Sequence, residues 1–111
     1  MSARLRSDIW VSAYLRRCAV AGMVAVLRRR GAAEAGAIFI KIDRLDGRAS
    51  LLGPAPPDLT QTEPEGRHFE PLLLDVEAMT VEERMEREIR FDSDLWWVEI
   101  EDTVGRSFLE F

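Results

Sequence analysis

Apolar positions along the chain follow two rhythms, one helical and one alternating. Between Asp8 and Ala21, the residues Trp10, Ala13, Tyr14, Cys18 and Ala21 recur at helical spacing and define one face of a first helix. Ser7 or Asp8 can cap it, because a short side-chain oxygen accepts a bond from a free first-turn N–H. Gly22 stands where a left-handed C-terminal residue is wanted. A competing reading runs one helix through to Arg30. Val24 and Val26 begin a β-like stretch, however, and glycine inside a helix costs about 1 kcal/mol, so the helix is expected to stop at Gly22.

The alternating rhythm takes over from there. Met23–Arg30 reads as a strand, Gly31–Gly36 as a loop, and Ala37–Arg44 as a second strand in which Ile38, Ile40 and Ile42 alternate with Phe39 and Lys41. Asp46-Gly47 is a hairpin signal, since glycine accepts the positive φ of a tight turn, and it leads into a third strand, Arg48–Leu52. Gly53–Gly66 is a Pro-rich break expected to form a surface loop, and its length leaves room for a recognition role. His68–Leu74 is a fourth strand. Thr80 opens a second helix, with Glu83 at capping-box spacing. Glu83–Arg87 and Glu86–Arg90 are favourable i,i+4 pairs, and Val81, Met85 and Ile89 form a narrow apolar stripe. Leu95–Glu101 and Arg106–Phe111 complete the set as strands around an Asp102–Gly105 turn. The order α-β-β-β-β-α-β-β, with short turns between strands, predicts an α+β fold: a mainly antiparallel sheet with two helices.

At 111 residues, 47% of them hydrophobic, the chain is expected to form a single domain with a core that needs no metal or disulfide. The lone Cys18 fits a reducing compartment. Arg16 and Arg17, then Arg28, Arg29 and Arg30, interrupt the N-terminal apolar stretches before they reach spanning length or the form of a secretory signal. A cytoplasmic protein that does not engage the membrane is expected. The net charge of −5 is unevenly spread: residues 1–57 carry ten basic and four acidic side chains, residues 58–111 five basic and sixteen acidic. The acidic total argues against nucleic acid as a partner.

The chemistry on offer is sparse. There is no Gly-rich phosphate loop, no nucleophile elbow and no Cys or His pair at metal spacing. His68 is the only imidazole, and Cys18 falls on an apolar helix face, so neither is expected to be catalytic, and no cofactor is implied. Asp92, Asp94, Glu99 and Glu101 are weak candidates for a divalent cation or an acid–base pair, with Glu99 and Glu101 on one strand face. Trp96 and Trp97 are more informative, because adjacent strand residues point to opposite faces. Trp96 joins Val98 and Ile100 in a core, which puts Trp97 with Glu99 on the other face, as Phe39 lies opposite the isoleucines. Either a helix covers that second face or a partner does.

Arg90-Phe91-Asp92-Ser93-Asp94-Leu95-Trp96-Trp97-Val98-Glu99-Ile100-Glu101-Asp102 resembles the C-terminal signature of a small bacterial family known as domain of unknown function 1491. Asp8-Ile9-Trp10-Val11-Ser12 and Gly53-Pro54-Ala55-Pro56 are similar to that family as well, and the resemblance spans nearly the whole chain. It implies no activity, cofactor or site. The residues therefore favour a non-catalytic interaction or accessory protein, a homodimer or the binder of a protein partner, with Trp97, Phe39 and Glu99 as interface candidates. The alternatives are a carboxylate-based metal-dependent enzyme or ligand module on the acidic 92–102 segment, and small-ligand binding under the 53–66 loop.

Overall fold

The computed structural model describes residues 5–56 and 67–109. In chain order its elements are α1 (Ser7–Val20), β1 (Ala25–Arg29), β2 (Ile38–Asp43), β3 (Arg48–Pro54), β4 (Phe69–Glu77), α2 (Ala78–Phe91) and β5 (Trp96–Glu101). The strands form one sheet in the order β1-β5-β2-β3-β4. Every neighbouring pair is antiparallel except β2 and β5, which run parallel with Ile38 beside Trp96 and Lys41 beside Glu99. The fold is α+β, as the patterning predicts.

Local signals explain most of the boundaries. Gly22 ends α1 at φ +78°, with its own N–H bonded to Ala19 O at 3.0 Å and the Met23 N–H to Cys18 O at 2.8 Å. This double closure satisfies carbonyls that the helix end would otherwise leave unpaired. The α1 start differs from expectation. Neither Ser7 nor Asp8 caps the helix; the Ser7 and Asp8 N–H groups donate instead to the carbonyls of Glu34 and Ala33. The Ser7 hydroxyl is thereby free to donate to Gly36 O at 2.7 Å. The buried face is also rotated from the expected one, with Val11 replacing Ala13 and Ala21 beside Tyr14 and Cys18. Helix α2 begins at Ala78, so Thr80 lies within its first turn and serves as no cap.

The two helices cover opposite faces of the sheet. On one face Val11, Tyr14 and Cys18 of α1 pack on Ile38, Ile40, Ile42, Trp96, Val98 and Ile100. On the other, Val81 and Met85 of α2 pack on Phe39, Ala49, Leu51, Leu95 and Trp97. Strict alternation along β2 and β5 produces both cores at once, because each strand sends its odd and even residues to different helices. Close packing also dictates Gly36, where an added Cβ would sit 2.9 Å from the Trp96 indole.

The expected last strand, Arg106–Phe111, is not formed: residues 106–109 have no regular structure, and 110–111 lie outside the described residues. The reason is topological. β5 sits between β1 and β2, so neither of its edges is open to a returning hairpin. The chain instead passes beneath α1, where Phe108 and Leu109 pack against the first core and the Tyr14 hydroxyl donates to Ser107 O. Of the Pro-rich segment, Gly53 and Pro54 extend β3, and 57–66 lie outside the described residues.

Candidate functional site

Trp97 lies under α2. Its side chain is 7% exposed and Phe39 is 6% exposed, so the contact surface expected around these two residues is in fact the second core. The Arg28 guanidinium closes over the Trp97 ring at 3.9 Å from the centroid, a cation–π contact. Glu99 also turns inward. It pairs with Arg28 and lies 3.6 Å from Lys41 Nζ. Lys41 and Arg28 each reach Glu82 of α2 at 2.7 Å. Lys41 is 7% exposed, so this four-residue network is a partly buried clamp between helix and sheet, with two charges of each sign.

Burial opposes ionisation of Glu82, but hydrogen bonds and charge from Arg28 and Lys41 outweigh it and hold its carboxyl below the ordinary range. Because the folded value is lowered, the resulting stability is fully present above the ordinary value of 4.5 and is lost as pH falls through the folded value. Urea midpoints measured from pH 7 downward are expected to fall below that point. Glu82→Gln should lower the midpoint at neutral pH and flatten the acid-side slope. An unchanged slope in the variant would assign the acid sensitivity elsewhere.

The remaining acidic candidates do not converge on this network. Asp92 and Asp94 are exposed, and the Asp94 N–H donates to Asp92 Oδ1 at 2.9 Å, which closes the turn before β5. Glu101 ends β5, half-buried. Asp102 is held by Arg106, whose guanidinium donates to it at 2.9 and 3.0 Å and whose backbone N–H donates at 2.6 Å, and these bonds keep its carboxyl below the usual range. Among the described residues no three His, Cys, Asp or Glu side chains are placed to share a metal ion.

What the protein does expose is the outer face of α2. Met79, Glu83, Arg87 and Phe91 follow one another at four-residue intervals and so share one ridge of the helix. Phe91 is 92% exposed and Met79 64%. Among the described residues Glu83 and Arg87 take no part in an ion pair; the pair that α2 makes within itself is Arg84–Glu88, at 2.8 Å.

The family model described as "protein of unknown function (DUF1491)" matches residues 5–110. The chain belongs to the DUF1491 family. Solved structures agree. A crystal structure of a DUF1491 family protein from Caulobacter crescentus CB15 is similar at a TM-score of 0.80 and 36% identity, covering 97% of this chain and 95% of that one. The solution structure of protein Atu0922 from A. tumefaciens is similar at 0.76 and 41%, covering 95% and 98%. No curated protein matches.

The thiol weighed from the sequence is quiet in this DUF1491 fold. Cys18 is buried in the first core, and burial pushes its thiol above the usual range, away from the reactive thiolate. Tyr14 beside it is likewise raised by burial. No helix among the described residues is long and apolar enough to cross a membrane. Sequence reasoning missed both Lys41 and the Met79–Phe91 ridge. Lys41 alternates with isoleucines in a central strand, which is itself a signal of a buried cation, but its partners become visible only once β2 and β5 are known to pair in parallel. The ridge was legible as a four-residue repeat of apolar, acidic, basic and apolar side chains.

Proposed function

We propose that this DUF1491 protein is a non-catalytic interaction protein of the cytoplasm that self-associates as a twofold dimer through the outer ridge of α2. One observation carries the reading: the ridge is complementary to itself. Two copies of α2 laid antiparallel, with the twofold at the level of residue 85 along the helix, set Met79 against Phe91 and Glu83 against Arg87, and the twofold repeats both contacts. The exposed Met79 and Phe91 supply sulfur–aromatic contact at either end of the ridge. The charges add little affinity at a solvent-exposed site but fix the antiparallel direction.

The sheet edges support the same choice. β4 carries Pro71 and two register irregularities, and β1 is a five-residue strand with a bulge, so neither offers a regular template for strand addition. A 14-residue helix spans about 21 Å. A ridge of that length makes a small interface, for which a dissociation constant in the micromolar range is expected, on the order of 10 µM.

Sedimentation equilibrium tests this directly. The 12.6 kDa chain should approach twice its mass as concentration rises toward about 1 mM. Glu83→Arg alone and Arg87→Glu alone should each weaken the dimer, and the two together should restore it, because the swap rebuilds both pairs. A monomer throughout that range, or a double variant no better than the singles, would overturn the proposal.

A further inference from the structure

Three methionines and one cysteine lie among the described residues, and their settings differ. Cys18 is sealed in the first core and Met85 in the second, while Met23 is half-buried against the first. Met79 stands apart. It is 64% exposed in the first turn of α2, at one end of the ridge. The backbone beneath it is held, because the Ala78 N–H donates to Gly47 O at 2.9 Å. An oxidant in solution therefore meets Met79 before the other sulfur atoms of these residues, at a place where a change of side chain leaves both cores alone.

We propose that Met79 is a modification site: oxidation of its thioether to the sulfoxide by a peroxide dissociates the dimer. The inference rests on self-association through the α2 ridge. In the step itself the sulfur lone pair attacks one peroxide oxygen, an S–O bond forms and the O–O bond breaks. Sulfur is oxidised by two electrons and the peroxide is reduced. The proton on the transferred oxygen passes to the departing one, which leaves as water or an alcohol. The product places a polar S=O group where the antiparallel arrangement brings Phe91. A phenyl ring offers that oxygen no N–H or O–H donor, so on association the group gives up its hydrogen bonds to water with nothing in return. Twofold symmetry doubles the effect, since each dimer contains the contact twice. Access is no obstacle, because a dimer with a dissociation constant of about 10 µM releases free chains continually. Reductases that act on methionine sulfoxide make the change reversible.

Sedimentation equilibrium of the full chain before and after dilute hydrogen peroxide tests the proposal, with peptide mass spectrometry reading the added oxygen at Met79. The dissociation constant should rise at least about tenfold on oxidation while the urea midpoint stays in place. Methionine sulfoxide reductases of both stereochemical specificities, with dithiothreitol, should restore it. Met79→Leu keeps an apolar side chain of similar length; it should dimerise within about threefold of the parent and ignore peroxide. Met79→Gln carries a polar group permanently and should match the oxidised chain without any oxidant. A parent chain that is monomeric before peroxide would overturn the α2 dimer, and this inference with it. A dimer that persists unchanged with Met79 fully converted, or a Met79→Leu chain that peroxide dissociates equally, would leave the dimer standing and overturn this inference alone.

Discussion

Trp97→Ala is expected to lower the unfolding free energy by about 3–5 kcal/mol, enough to threaten a domain of ordinary stability. The ring is 7% exposed beneath Val81 and Met85, and Arg28 stacks on it, so its removal opens a cavity and strips the cation of its aromatic partner. Trp97→Phe should be far milder, about 1 kcal/mol. The indole Nε1 is buried with no acceptor among the described residues, and phenylalanine discards that unpaired donor while keeping a ring in place. Phe91→Ser is the counterpart at the surface. It should leave the urea midpoint within about 0.5 kcal/mol of the parent while abolishing concentration-dependent mass. A Trp97→Ala protein that keeps its midpoint and loses only mass would reverse these roles and return the interface to the sheet.

The second large effect is expected at Lys41. Lys41→Met leaves Glu82 and Glu99 sharing Arg28 alone in a partly buried site, and should cost about 2–4 kcal/mol. Lys41→Met combined with Glu99→Leu should cost at least about 1 kcal/mol less than the single change, because it leaves the Arg28–Glu82 pair balanced and fills the space with apolar volume. Chemical denaturation of the single and double variants measures the difference. A double variant worse than the single would mean that Glu99 stabilises the fold through something other than these cations.

How far the sequence could be read follows from the range of each interaction. Ile38, Ile40 and Ile42 announced their strand, Asp46-Gly47 its hairpin, and Val81, Met85 and Ile89 the buried stripe of α2, because these signals lie within a few neighbouring residues. Gly22 marked the end of α1 for the same reason. The two-sided apolar pattern of Trp96 and Trp97 was legible, but which helix covered which face was not, since that depends on how the chain crosses the sheet. The parallel pairing of β2 with β5 is such a long-range fact, and the Lys41–Glu99 contact and the missing last strand both follow from it. The acidic cluster misled for a related reason. Asp92 and Asp94 close a turn, Glu99 answers cations from β1 and β2, and Asp102 holds Arg106, so neighbours in sequence serve three separate tasks.

The central place of β5 also governs how the protein is made. Of the strands among the described residues it is the last to be synthesised, yet it supplies Trp96, Val98 and Ile100 to one core and Trp97 to the other, and it alone joins β1 to the rest of the sheet. Its partner residues on β1, such as Ala25 opposite Ile100, are synthesised long before it. The growing chain therefore carries two unfinished cores until β5 emerges, and folding waits on contacts between distant parts of the sequence. No fragment that stops short of Trp96 can close the sheet, so the fold is completed only once β5 has been made.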